Sequence, residues 1–350
     1  MKLTVPFASL AERALRGERV QSLVEALTSR GPLILIALAF LFFIVAPHVL
    51  PRWSVYLMTI AWAKSLAVVG VVLLLRGGLL TFGMALFYAT GAYTAGFAVK
   101  HLGVHEALLL LVFAVVTGVG MSALLGLLLA RYRDVYFALL NLAFSMVLYS
   151  LLLKFYWITS GTDGLGLPTP TIAGVRPPVD TLRQALYYLT FGLAVVLLYG
   201  AYRFAASPLG YTLRALRDNE VRVEYMGASV WRTIYVSYII AGVLGSISGA
   251  LVAFSVGHIV PDFAYWTQSG EFVFVALLGG VGSLLAPVAG SLAFEFIRNY
   301  AFKFSPNTWQ MTLGLVLLVI IFLLPGGLWS VTETLGRRWG RWATSLRRSA

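Results

Sequence analysis

SPLGYTLRALRDNEVRVEYMGASVWR, Ser207 to Arg232, is a polar island set between two apolar runs. Around it, 59% of residues are hydrophobic and only 11% are charged, and apolar stretches long enough to cross a bilayer recur along the chain. Such a chain is expected to be an all-α, polytopic membrane protein with one membrane domain. The island is then a loop at one membrane face. Within it, Ser207 is placed to cap a helix that starts on Pro208. Leu209, Leu213, Leu216, Val223 and Met226 follow helical spacing, and Arg214, Arg217, Asp218, Arg222 and Glu224 take the other faces. The pattern predicts one short amphipathic helix on the cytoplasmic side. A solvated interfacial loop is the plainer reading. Against it stands the mixed-sign string Arg217-Asp-Asn-Glu220 followed by Glu224, because attraction to anionic lipid needs no acidic groups.

Outward from the island, apolar runs fall at Leu33–Leu50, Ser54–Leu75, Leu79–Val99, Ala107–Ala130, Val135–Ile158, Ala185–Phe204, Thr233–Val256, Glu271–Ala301 and Trp309–Leu324. All but one have ordinary helix lengths, so about eight transmembrane helices are expected. The exception contains Leu278-Gly-Gly-Val-Gly-Ser-Leu-Leu-Ala-Pro287, whose glycines and proline break a helical ladder. Two half-helices are therefore predicted there. A re-entrant hairpin leaves more Lys and Arg inside than a single crossing does, and it keeps the arginine-rich C-terminal end cytoplasmic with the N-terminus. Broken backbone at membrane depth lines a pathway or packs on a neighbour. The third run, after Arg76-Gly-Gly78, has a similar texture, which hints at an internal repeat with a pathway between the halves. Gly83, Gly279, Gly280 and Gly282 are the candidate pathway glycines.

The net charge of +12 sits at the chain ends and in a few loops, as membrane topology distributes it, and does not call for nucleic acid. Residues 1–32 are expected to form a basic cytoplasmic segment lying on the membrane surface, 33–328 the transmembrane domain with 207–232 as its cytoplasmic loop, and 329–350 a basic cytoplasmic tail. Glu12, Glu18 and Glu25 argue against a mitochondrial presequence, and no apolar stretch with a cleavage site precedes Gly31. The absence of cysteine excludes disulfides, thiolate metal sites and a cysteine nucleophile.

Leu213-Arg-Ala-Leu-Arg-Asp-Asn-Glu220 with Glu224-Tyr-Met-Gly227 is similar to the cytoplasmic loop of permeases of the branched-chain amino-acid ABC importer family, LivM-like members especially. Three further segments resemble that family in the same order. They are Gly78-Leu-Leu-Thr-Phe-Gly83 with Gly91-Ala-Tyr-Thr94, then Tyr136-Phe-Ala-Leu-Leu-Asn-Leu-Ala-Phe144 leading to Gly161-Thr-Asp-Gly164, and Leu278-Gly-Gly-Val-Gly-Ser283 with Pro287 and Gly290. Together they cover about Trp53 to Leu328. The resemblance implies an ABC importer permease fold in a bacterial inner membrane. It also implies a second homologous permease, two cytoplasmic ATPase subunits docked on the island, and a periplasmic binding protein that delivers ligand. This chain would bind no cofactor, and ATP would be hydrolysed by the partner subunits. Consistent with that, no lysine lies in a G-x-x-x-x-G-K-[ST] string. Arg214, Arg217, Asp218, Glu220, Glu224 and Gly227 are the candidate ATPase contacts, Gly227 serving either a close turn or a simple helix stop.

Thr162 and Asp163 lie in the Gly- and Pro-rich loop Ser160 to Arg183, read either as a tight turn or as part of the surface that receives the binding protein. Lys64, near the middle of the second run, is expected to meet an anionic group. That group is a substrate carboxylate or an acidic side chain such as Glu271 or Glu295, unless the lysine snorkels or faces the partner permease. Met84 departs from the family, which often has histidine after the Phe-Gly pair. His101, His105 and Glu106 show metal-like spacing without a third ligand and are read as interfacial residues. Ala241, Gly245 and Gly249 form a small-residue strip suited to close helix packing.

An ion-driven carrier would carry intramembrane acidic or histidine relays, and a membrane enzyme a nucleophile with its base or a metal cluster. Such groups are sparse or unassembled in the sequence, and what the resemblance implies is non-enzymatic import of branched-chain or related hydrophobic amino acids. Urea, amides or another small polar solute are the alternative cargo.

Overall fold

The computed structural model describes residues 40–330 except 173, 175–177, 305 and 325, so the basic N-terminal segment and nearly all of the C-terminal tail lie outside the described residues. The chain divides into two units, one comprising Met1–Leu50 with Val331–Ala350 and the other Pro51–Ser330. The described part of the first is the short apolar helix α1 (Phe40–Val49). All other elements belong to the second.

That unit is helical nearly throughout. Its long helices are α2 (Arg52–Arg76), α3 (Met84–Leu102), α4 (Ala107–Leu129), α5 (Asp134–Lys154), α7 (Val179–Ala205) and α10 (Val230–Val256). Shorter pieces are α6 (Tyr156–Thr159), α8 (Pro208–Asp218), α9 (Glu220–Tyr225), α11 (Trp266–Gly279), α12 (Ala286–Phe304) and α13 (Trp309–Leu323). Among the described residues, α2, α4, α5, α10 and α7 from Thr181 onward are long and apolar enough to cross a membrane. The chain is therefore a multi-pass membrane protein.

Two helices form the centre. α2 is buried without interruption from Leu57 to Leu74, as expected of a helix that is apolar all round. α10 packs on α2, α3 and α4 through its small residues. A Cβ added at Gly70 would sit 3.0 Å from the Ala241 carbonyl oxygen, and one at Gly245 would sit 3.0 Å from the Phe87 Cβ. Side chains at Gly249 and Gly91 would collide with the Tyr88 and Ser246 carbonyls, respectively. The Ala241, Gly245, Gly249 strip thus packs α10 within the chain. α4 instead leaves Leu108, Val112, Val116 and Leu124 bare, and α13 leaves Met311, Leu315 and Phe322 bare, the surface a lipid-facing helix presents.

The third apolar run differs from expectation. Leu79–Gly83 is not helical, and α3 starts only at Met84. Gly77 and Gly78 end α2, Gly78 at φ +77°, and the Gly83 N–H donates to Thr81 Oγ1 at 3.1 Å. Turn-forming residues therefore outweigh the apolar pattern over this stretch.

Candidate functional site

Three regions hold the residues singled out by sequence. The first is the polar island, which forms two helices rather than one. Ser207 caps α8 through the Gly210 N–H (3.3 Å), with Pro208 in the first turn. Asn219 is extended (φ −164°, ψ 104°), and its Oδ1 accepts from the Arg222 N–H at 2.9 Å, so it ends α8 and caps α9. Gly227 stops α9. At φ +82° it donates to the Glu224 carbonyl (2.8 Å), while Ala228 donates to the Val223 carbonyl (3.3 Å), which is a Schellman motif.

The pair of helices is fastened to the membrane part at two points. Leu213 and Leu216 are buried, and Leu213 Cδ1 would stand 2.5 Å from a Cβ at Gly77. Glu220 pairs in a fork with Arg133, which leads into α5, at 2.9 Å (Nε to Oε2) and 3.0 Å (Nη2 to Oε1). Glu220 is therefore engaged inside the chain, by an arginine that the sequence reading left out. Arg214, Arg217, Asp218 and Glu224 are exposed. Val223 is buried as its spacing predicts, but Tyr225 and Met226 are 88% and 81% exposed; Met226 leaves the apolar face because α9 ends at Tyr225 and Met226 is its C-cap.

The second region is the predicted break. α11 ends at Gly279 and α12 begins at Ala286, as two half-helices. They run antiparallel: a Cβ on Gly279 would strike Ala286, and one on Gly290 would sit 2.6 Å from the Val275 carbonyl. The turn lies at the Arg76 end of α2, where Arg76 donates to the carbonyls of Gly282 (2.9 Å) and Val281 (3.4 Å). α12 then follows α2 to its other end, where Phe296 and Tyr300 pack edge-on against Trp53. Gly280, at φ +102°, lies against the Gly326 backbone. Gly279 and Gly280 thus allow close backbone contact, and Gly83 likewise lies against Asn141.

Midway along this hairpin four charges close on one another. Lys64 Nζ lies 2.5 Å from Glu271 Oε1 and 2.9 Å from Glu295 Oε1. Arg298 lies 3.5 Å from Glu271 and 3.0 Å from Glu295. The Lys64 and Glu295 side chains are 8% and 1% exposed, whereas Glu271 and Arg298 reach 19% and 33%. The Glu295 oxygens meet both cations at ion-pair distance without hydrogen-bond alignment. Of the partners weighed for Lys64, the acidic side chains are the ones in contact.

The approach to α11 gives no clear sign in the sequence. Residues 257–265 are short non-α pieces, and the Ala264 carbonyl accepts from Ser145 Oγ, midway along α5, at 2.8 Å. Ser269, in the first turn of α11, accepts from the Ala85 N–H at the start of α3 (2.8 Å). Two helix starts therefore meet inside the protein. Beside them runs an apolar groove of ≈380 Å³ lined by Leu80, Phe82, Val135, Leu139 and Trp266, among others. Pro261-Asp262 was the available signal, and it is too short to tell an entering segment from a surface turn.

The third region is the far-side loop. Thr162 and Asp163 are exposed in a 3₁₀ turn, and Asp163 accepts from the Tyr156 hydroxyl at 2.8 Å. Next to it strand β1 (Leu165–Gly166) pairs antiparallel with β2 (His258–Ile259), tying this loop to the segment after α10.

The sequence matches known proteins. A family model described as the permease component of branched-chain amino acid transport systems matches residues 54–324. The chain belongs to this branched-chain amino-acid permease family. Among curated members, the high-affinity branched-chain amino acid transport system permease protein LivM of Escherichia coli is 26% identical over 89% of this chain and 77% of its own length. LivM of Salmonella typhimurium is 26% identical over 82% and 72%. LivH of Escherichia coli, a second permease of that name series, is 22% identical over 43% of this chain and 48% of its own. No solved structure matches. As a family member the chain is a transport permease, and its relatives are permeases rather than enzymes.

Proposed function

We propose that this chain is one half of the membrane channel of an ATP-driven importer for branched-chain or related hydrophobic amino acids, with urea, amides or another small polar solute as the alternative cargo. It works with a second homologous permease, two cytoplasmic ATPase subunits that hydrolyse the ATP, and a periplasmic binding protein. It sits in a bacterial inner membrane with both termini cytoplasmic, crossing in about eight spans with α11–α12 as a re-entrant hairpin. In support of the hairpin, α11 at 14 residues is roughly 21 Å long, short of a hydrocarbon core of about 30 Å, and its partner returns beside it.

The observation that carries the reading is the mounting of α8 and α9. They are braced to the membrane part by Leu213 and by the Glu220–Arg133 fork, while Tyr225 and Met226 stay bare beside Glu224. Exposed aromatic and Met side chains with charges at their rim are what a protein partner anchors on. The ATPase contact therefore centres on Tyr225 and Met226, with Arg214, Arg217, Asp218 and Glu224 around them, and Glu220 and Gly227 hold α9 in place.

The groove beside Phe82 and Trp266, with the α11 face bearing Thr267, Glu271 and Phe274, is the wall this half gives to the pathway, the second permease supplying the other. Lys64 acts from behind this wall by holding Glu271, and Gly83, Gly279, Gly280 and Gly282 let its segments lie close. Thr162 and Asp163 belong to the side that receives the binding protein.

The test is co-purification from native membranes. The unaltered chain is expected to bring ATPase subunits and a second permease with it, and Tyr225→Asp with Met226→Asp to retain the permease and lose the ATPases. A doubly substituted chain that still carries the ATPases and takes up amino acids normally would sink the docking assignment. A chain that purifies alone and transports under an ion gradient would replace the importer by a secondary carrier.

A further inference from the structure

Between the α8–α9 pair and the α11–α12 hairpin stands one corner of the chain, Arg76-Gly-Gly78. On one side, Gly77 leaves room for Leu213 of α8, whose Cδ1 would lie 2.5 Å from any Cβ there, and a Cβ on Gly78 would lie 3.6 Å from the Arg217 Cγ. On the other side, Arg76 grips the hairpin turn through two backbone carbonyls, Gly282 at 2.9 Å and Val281 at 3.4 Å. Elsewhere that turn is seated by the buried Leu284 and by close backbone contact: a Cβ on Gly280 would stand 2.6 Å from the Gly326 carbonyl oxygen, and one on Gly327 would stand 2.6 Å from the Gly280 Cα. Glycine faces give close contact without interlocking side chains, so they resist separation but set little against sliding. The guanidinium supplies what they lack. It is a directed, charge-assisted grip on two backbone oxygens of the turn.

From these placements we infer that Arg76 is a positioning residue that links movement of the α8–α9 docking helices to the α11–α12 hairpin. The inference rests on the importer reading given above. The corner moves with α8 because Leu213 is packed on Gly77, and the hairpin moves with the corner because Arg76 holds its turn. The hairpin carries Glu271 and Phe274 on the wall assigned to the pathway, so displacement of α8 reaches the tip of the cargo-facing hairpin through Arg76. Lys64 attaches the same hairpin to α2 further along, at Glu271 and Glu295. Loss of the grip on the turn therefore leaves the hairpin in place but no longer driven from its tip.

The experiment uses the whole complex, purified through this chain and reconstituted in liposomes with its binding protein, with uptake and ATP hydrolysis read in the same vesicles. Arg76→Met is expected to assemble and to hydrolyse ATP near the unaltered rate, while uptake per ATP falls about tenfold, the factor one charge-assisted hydrogen bond carries. Arg76→Lys, which keeps one donor for the carbonyls, is expected to recover most of that loss. Gly77→Ala approaches from the other side of the corner, wedging Leu213 away. It is expected to uncouple in the same way and to be relieved by Leu213→Ala in the same chain, which keeps the inference testable if Arg76→Met fails to assemble. Uptake and hydrolysis that fall in proportion, or uptake per ATP that stays unchanged in both Arg76→Met and Gly77→Ala, would overturn the inference. If the unaltered chain brings no ATPase with it, the importer reading falls first and this inference with it, and the two failures are told apart by that control.

Discussion

Replacing Lys64 by Met tests the four-charge cluster most directly. The substitution leaves Glu271 and Glu295 facing Arg298 alone, one net negative charge in a place where the Glu295 side chain is 1% exposed. Removing one partner from a buried ion pair costs about 3–5 kcal/mol, because the remaining charge loses its compensation. Taking the lower figure and about 2–3 °C per kcal/mol for a chain of this size, Lys64→Met should lower the temperature of half-loss in detergent by about 6–9 °C. Adding Glu295→Gln restores neutrality and leaves the Glu271–Arg298 pair, so the double variant should regain much of the loss. The two substitutions should therefore couple by about 2 kcal/mol in a double-mutant cycle. The assay is the monodisperse fraction on size-exclusion chromatography after graded heating of the four proteins, with transport selectivity measured alongside and expected to stay unchanged. Losses that simply add would mean that charge balance does not hold the hairpin to α2. A changed selectivity in Lys64→Met would return the lysine to direct contact with cargo.

Exchanging the fork, Arg133→Glu with Glu220→Arg, should restore ATPase co-purification lost by either change alone, although stability shifts by only about 0.2–1 kcal/mol because both groups are partly exposed. Gly227→Asn should be tolerated in a transport assay better than Gly227→Ala, since asparagine adopts the left-handed backbone at φ +82° at lower cost. Ser269→Ala removes the acceptor of the buried Ala85 N–H and should cost about 1–2 kcal/mol, read as a lower half-loss temperature without loss of insertion.

Much of this organisation was legible in the sequence, because it depends on local chemistry that one stretch of chain carries by itself. Gly279-Gly280 and Pro287 mark a helix break whatever surrounds them, and Ser207-Pro208 marks a helix start. Lys64 announced an acidic partner because a charge amid apolar residues demands one, and both named acids answered. What stayed hidden depends on pairs distant in the chain. Arg133 looks like an ordinary loop cation until the fold brings Glu220, 87 residues on, against it. Ser269 gives no local sign that it caps another helix 184 residues away. Leu79–Gly83 was read as helical because its apolar pattern outweighed Gly77-Gly78 in a periodicity argument, whereas the backbone follows the glycines. Met226 departs from its spacing because α9 stops at Tyr225, one residue short of it, whereas Val223 keeps the predicted face.

The cluster around Lys64 also sets an order on how the chain is made. α2 enters the bilayer with its lysine 207 residues before Glu271 exists to receive it. A lone lysine at the centre of a span costs about 2.5–3.5 kcal/mol on insertion scales, and Glu271, Glu295 and Arg298 would each face a comparable cost if α11 and α12 entered singly. α2 must therefore wait in a strained or shielded state, held by its many apolar neighbours, until the two late helices arrive together and neutralise it. Nascent chains cut short before residue 271 should be bound by membrane chaperones or degraded by membrane proteases, and carrying Lys64→Met should let them escape.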